Sequence, residues 1–155
     1  MSETEKKQIP IQEGLFTWPS DDPRLIASKC KNCREITFPA QSSCPNCCLE
    51  DVESTLLSKR GKLWTWTVMG FYPKSPPYNG PDTPETFVPF GVGYIELPNE
   101  VRVESRLKEN NPEKLKIGME MELVIEKFRE DDEGNDVMIF AFQPVEESSI
   151  KKGEK

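Results

Sequence analysis

Residues 30–48 read CKNCREITFPAQSSCPNCC. Cys30 and Cys33 form one C-x2-C pair and Cys44 and Cys47 form a second, with residues 34–43 between them. All five cysteines of the chain fall in this stretch, and Cys48 stands outside the pattern. Two thiolates spaced this way grip one ion from a tight turn, and two such turns complete a tetrahedral set. The opening residues MSETEKKQIP are polar and lack an apolar core. That predicts no export signal and a cytoplasmic protein, where paired C-x2-C motifs mark a metal far more often than disulfides. Zinc is the first reading and iron in a rubredoxin-like site the second, because a tetrahedral four-sulfur set admits either.

A metal closed in by four thiolates has no open position for water or substrate, so its role is structural. Its binding free energy folds a segment too small to own a core. Within the insert, Ile36 and Phe38 share one face, which suits a small hairpin between the two knuckles. Cys48 is read as a spare cysteine rather than a replacement for Cys47, since nothing nearby supplies a base to activate it.

The composition of the whole 155-residue chain bounds the function. Hydrophobic residues are 35% and charged residues 30%, with no apolar run long enough to span a membrane. The net charge of −7 argues against a phosphate-backbone ligand. Single-stranded nucleic acid remains the alternative, through basic groups at Lys29, Lys31 and Arg34 or Lys59, Arg60 and Lys62. The chain has no histidine, which removes the commonest general base and every Ser-His or Cys-His nucleophile. Glu96, Glu104 and Glu109 are better read as surface or turn carboxylates than as a catalytic set.

Taken in order, residues 1–28 form an N-terminal arm, polar and loosely held over 1–14. Leu15, Phe16 and Trp18 form an apolar cluster that either covers the chain's own core or inserts into a partner. A ribbon follows at 29–55. In GKLWTWTVMGF, residues 61–71, strand periodicity puts Trp64, Trp66 and Val68 on one face, packed into the core, and Thr65 and Thr67 on the other. Six prolines in residues 72–89 exclude a helix and a central strand there, leaving a long loop with Tyr72, Tyr78 and Phe87. Strands follow at 90–97, where Gly91 and Gly93 suggest a bulge or bend, and at 101–107. A helical turn is capped by Asn111 and stopped by Gly118. The next strand turns Met119, Met121, Leu123 and Ile125 inward, and 137–145 supplies the last one. A mainly β chain with five strands over 56–146, and a short helical turn between the third and fourth, fits an OB-fold barrel. An open antiparallel sandwich has the same strand count. Residues 147–155 read as a charged, frayed tail.

The order of motifs is CKNC, CPNC, GKLWTWTV, a Pro-rich loop, PFGVGYIEL, VRVESRL and KIGMEMEL. It resembles the family of acyl-CoA-associated OB-fold proteins with a rubredoxin-like zinc ribbon, over roughly residues 15–145. Members act as small subunits or appended domains beside thiolase-fold or hydratase-fold partners working on CoA thioesters. The resemblance implies Cys30, Cys33, Cys44 and Cys47 as ligands of one structural zinc, and no catalytic residue in this chain. It implies a non-catalytic accessory subunit in a heterotetramer with a thiolase-fold catalytic subunit. The ribbon and arm would meet the partner, with the barrel near the CoA entrance. Phe16, Trp18, Tyr72, Tyr78 and Phe87 become candidate contacts to the partner or to CoA. Arg34 and Cys48 stand where the family often has glycine after each knuckle, so the knuckle backbone is expected to differ. Pro98-Asn99-Glu100 stands where it often has an acidic residue and glycine.

Overall fold

Apolar–polar alternation in the second half of the chain builds a curved sheet that closes on itself. The computed structural model describes residues 5–145. Residues 1–4 of the arm, residue 146 of the expected barrel span and the tail at 147–155 lie outside the described residues. The strands are β1 (Gln8–Pro10), β2 (Ile26–Cys30), β3 (Ile36–Thr37), β4 (Val52–Leu56), β5 (Arg60–Met69), β6 (Phe90–Glu96), β7 (Arg102–Leu107), β8 (Glu120–Glu130) and β9 (Asp136–Pro144). A single 3-10 turn, Pro112–Lys114, lies between β7 and β8. The Asn111 side chain caps it by accepting from the Glu113 N–H, and proline opens it, as the sequence predicts. Among the described residues no helix is long and apolar enough to cross a membrane.

The larger sheet runs β1-β9-β7-β6-β5-β8, and β8 pairs again with β9 along almost its whole length. That second pairing closes strands β5–β9 into the expected barrel and excludes the open sandwich. β2 is the centre of a separate three-stranded sheet, with β3 and β4 on its sides. This is the ribbon. It does not have its own core. Phe16, Leu25, Ala27 and Leu57 lie in one apolar cluster with the barrel residues Leu63, Ile95, Val103, Leu107, Met121 and Phe142. The Leu57 N–H donates to the Leu25 carbonyl, and the Arg24 guanidinium donates to the Leu57 carbonyl at 2.6 Å, so one backbone and one side-chain hydrogen bond cross the same seam.

Two readings of the strands change. Trp64 and Trp66 do not share the core face. The β5–β6 register shifts between Leu63 and Thr65, making Trp64 the extra residue of a β-bulge. Gly61 and Leu63 point inward before it, and Trp66 packs half-buried against the core after it. Trp64 itself turns outward, 45% exposed, edge-on to Tyr94, with the Arg102 guanidinium 4.1 Å from its ring centroid. Gly91 and Gly93 therefore mark no bulge of their own. They stay in regular register in β6 and let neighbouring backbone approach. A Cβ on Gly93 would lie 2.8 Å from the Thr65 carbonyl oxygen.

The arm is also more ordered than its polarity suggests. β1 lies parallel to β9, with Gln8 opposite Asp136. The Trp18 indole N–H donates to the Gln8 carbonyl, and Ile11 donates to Met138. At its base four charges interlock. Lys6 pairs with Glu130 at 2.6 Å and Asp136 at 3.0 Å, and Lys127 pairs with the same two at 2.9 and 3.1 Å. Hydrogen bonds from Lys6 first, then Lys127, hold the Glu130 carboxyl down at about 2.

Two expectations follow. Gly93→Ala should destabilise by about 1–3 kcal/mol, because the new methyl meets backbone that has no room to yield. Gly70→Ala, with nothing within 4 Å, should stay within about 0.5 kcal/mol. Urea midpoints compare them. For the charge cluster, a carboxyl whose folded pKa is depressed stabilises above its ordinary value and loses that contribution as pH falls through the folded value. Amide protection at Ile11, corrected for intrinsic exchange, should therefore fall between pH 4.5 and about 2. That decline should be smaller in Lys6→Ala, where only Lys127 still pairs with Glu130 and Asp136.

Candidate functional site

The four cysteines of the two pairs converge. Cys30 ends β2, Cys33 and Cys47 sit in the following turns, and Cys44 opens the second knuckle. Their sulfurs all lie within 4.8 Å of one another. Cys30 Sγ is 3.5 Å from Cys47 Sγ, and Cys33 Sγ is 3.5 Å from Cys44 Sγ. Sulfurs about 2.3 Å from one tetrahedral zinc stand about 3.8 Å apart, so the set has the size of a zinc site. Cys30 and Cys44 are buried, Cys47 is half-buried and Cys33 is exposed.

The knuckles are built by backbone. Arg34 donates its N–H to the Cys30 carbonyl and Cys48 donates to the Cys44 carbonyl, the same bond in each turn. The Cys33 N–H lies 3.5 Å from Cys30 Sγ. Cys30 in turn donates to Glu35, and Cys44 donates to Leu49. Each turn needs one left-handed residue to close. Arg34 supplies it with φ 67° and Cys48 with φ 64°. The backbone thus adopts the conformation a glycine would favour, contrary to the expectation that these substitutions would alter it. Each non-glycine residue held there costs about 1 kcal/mol or more. Asn99, with φ 59°, closes the β6–β7 turn in the same way. Its neighbour Glu100 accepts from the Ser58 N–H and hydroxyl, tying that turn to the start of β5.

The thiols differ electrostatically. A hydrogen bond from the Glu35 backbone, then one from the Asn46 side chain, lowers Cys33 to about 6. At Cys44 the Cys47 backbone N–H pulls down, but burial and the neighbouring thiols Cys33 and Cys47 carry the group up to about 11. A bound dication displaces such protons and takes all four sulfurs as thiolates. With four protein ligands it supplies a cross-link and leaves no position for a reacting group.

The aromatic candidates separate from the surface. Phe16 is 3% exposed and belongs to the shared core. Trp18 packs edge-on against it. Tyr72, Tyr78 and Phe87 are half-buried and stack edge-to-face, Tyr72 with both of the others. They hold the Pro-rich loop onto Phe90 and Phe128. The apolar side chains presented at the two ends of this loop are Phe71, just before it and 84% exposed, and Val88, 66% exposed. They stand two residues beyond the Met69–Phe90 pair on each strand. Composition alone gave no means of choosing them over the buried aromatics beside them. Of the carboxylates, Glu96 pairs with Arg102 and Glu104 accepts from the Tyr94 hydroxyl. The Glu109 side chain accepts from the Asn111 N–H, so the three do not form one catalytic group.

A four-thiolate ribbon joined to a closed five-stranded barrel defines a zinc-ribbon OB-fold protein. Family models agree. Residues 18–52 match the ChsH2 rubredoxin-like zinc ribbon domain and residues 55–126 the ChsH2 C-terminal OB-fold domain. The chain belongs to the DUF35 family, as the sequence resemblance indicates, and its metal is a structural zinc. It is 32% identical over 124 residues to a DUF35 domain-containing scaffold protein of Methanocaldococcus jannaschii, covering 79% of this chain and 82% of that protein. It is 31% identical over 133 residues to the benzoylsuccinyl-CoA thiolase subunit BbsA of Thauera aromatica, covering 84% and 85%. A solved Ltp2-ChsH2(DUF35) aldolase chain shares the fold, with a TM-score of 0.57 and 24% identity over 78% of this chain and 84% of that one.

Serine at Cys30 or Cys44 should abolish stoichiometric zinc and lower the melting temperature, whereas Cys48→Ser should keep the metal. Cys48→Gly should stabilise by about 0.5–1 kcal/mol, since glycine relieves the left-handed strain. Metal analysis with thermal melts checks all four.

Proposed function

We propose that the chain is a non-catalytic accessory subunit that assembles with a thiolase-fold enzyme and helps shape its acyl-CoA site. The observation that carries this reading is the match, over most of both lengths, to proteins named as scaffolds and as a thiolase subunit. Its own chemistry supports it. The sequence has no histidine. The one group of metal-ligating side chains among the described residues is the closed thiolate set, so the nucleophile and base of a thiolase come from the partner. We assign Cys30, Cys33, Cys44 and Cys47 as the zinc ligands. The acyl class is an aryl-substituted 3-oxoacyl-CoA, the complex a cytoplasmic heterotetramer, and the CoA thioester lies near the interface.

Phe71 and Val88 are the contact we assign to the partner, in place of Phe16. A side chain already in the core has no surface to give, while these two remove apolar area from water only on association. Tyr72, Tyr78 and Phe87 act behind them as the support that holds the loop's shape. Trp18 fixes β1.

Co-expression with a thiolase-like chain tests the assembly. A single co-eluting complex, with the partner inactive or unstable alone, is the expected result. Separate elution of two fully competent chains would sink the proposal. Within a complex, replacing Phe71 and Val88 together by glutamate should weaken association about thirtyfold or more, with zinc content and melting temperature unchanged. Undiminished association would move the interface elsewhere.

A further inference from the structure

Two β-bulges aim aromatic rings at the same strand. The bulge in β5 turns Trp64 onto Arg102. A second register shift in β8, between Lys127 and Arg129, makes Phe128 the extra residue there. The Arg106 guanidinium lies 5.6 Å from the Phe128 ring centroid and 3.9 Å from that of Phe90. Arg102 and Arg106 project from the outer face of β7, two positions either side of Glu104.

The two arginines differ in how they are satisfied. Arg102 donates from Nε to Glu96 at 2.9 Å. Among the described residues no carboxylate lies within ion-pair distance of Arg106. Asp82 and Glu126 share a small cavity with it, but Asp82 accepts from the Tyr78 hydroxyl at 2.7 Å and Glu126 pairs with Lys108. Arg106 is thus a half-buried guanidinium beside two phenyl rings and the Tyr78 hydroxyl, with no carboxylate paired to it among the described residues. Phenyl faces keep a cation in place without consuming its hydrogen-bond donors.

Arg106 lines a groove of about 670 Å³ between the outer face of the barrel, the ribbon and the arm. Its walls are apolar: Phe38 from the ribbon, Leu15 from the arm, and Val92, Ile139 and Phe140 from the barrel. Its polar groups are few. They are Arg106, the Glu96-bound Arg102, Glu104 with its Tyr94 hydroxyl, and Ser105, whose hydroxyl donates to the Arg106 carbonyl. Small-ligand sites occupy about 300–1,000 Å³, with apolar walls and a few oriented polar groups.

We propose that this groove binds a small monoanionic carboxylic acid with an aromatic or branched apolar body, its carboxylate on the Arg106 guanidinium. The apolar body lies over Val92 and Phe140, against the ribbon's Phe38. The guanidinium fork matches a carboxylate in two parallel hydrogen bonds. Glu104, at the centre of the floor, keeps a second negative charge away, so one anion at one end is the pattern the site accepts. Binding needs no partner, so it stands or falls apart from the subunit reading.

The test titrates the zinc-loaded full chain with phenylpropionate and with its neutral amide, by calorimetry and by shifts of the Val92 and Ile139 methyl resonances. The acid should bind saturably at one site per chain, and the amide about tenfold weaker or worse. Arg106→Gln should weaken the acid about tenfold, and Arg102→Gln, whose partner is Glu96, less than about threefold. Equal binding of acid and amide would overturn the proposal, even if Arg106→Gln proved poorly folded. So would an absence of saturable shifts, or full affinity in a folded Arg106→Gln.

Discussion

The seam between Leu25 and Leu57 is the contact on which the rest of the molecule depends. Both side chains are fully buried, and the backbone of one bonds the backbone of the other. Full burial of a leucine is worth about 1.5–3 kcal/mol. A three-stranded ribbon whose knuckles are cysteine turns has too little apolar surface to fold on burial alone. Here it is held from two ends, by metal at the knuckles and by the barrel's own core at the seam. Damage at either end is therefore felt at the other, and the two modules behave as one folding unit.

That seam also fixes what is left exposed. The ribbon leans against the barrel, and its Phe38 meets Phe140 edge-on, but it does not cover the outer face of β6 and β7. At Trp64 the bulge breaks the alternation that Trp66 and Val68 would otherwise extend to it. Each bulge adds one residue, and each added ring lands on a guanidinium of β7. Core and surface are decoupled at two points, so the interior keeps its packing while the outside gains a shaped, charged concavity.

Some of this was legible in the sequence because it is local. Ligand spacing is a property of a few consecutive residues, and so are the Asn111 cap and the alternation in VRVESRL and MEMELVI. Those features lead directly to the ribbon and the barrel. What was not legible depends on partners distant in the chain. β1 has three residues and no alternation of its own, and it exists because β9 offers an open edge. Trp64 carries the signature of a core residue and is turned out by one register step. The loop aromatics differ in exposure because they pack on Phe90 and Phe128, not because of their type. At Arg34 and Cys48 the inference from residue type ran the wrong way. Backbone hydrogen bonds within the knuckle, not the side chain, dictate the φ there.

The order in which the strands join has a consequence for synthesis. All four knuckle cysteines precede residue 48, whereas the barrel is completed only by β9, Asp136–Pro144, which also receives β1. On the ribosome, the metal clip is complete long before its supporting core exists. A nascent chain passes through an interval in which the ribbon's thiols have emerged, while Leu25 and Leu57 still lack the barrel they will be buried in. Zinc is the one stabiliser of the ribbon whose ligands are all made by then, since the barrel core that buries Leu25 and Leu57 is not.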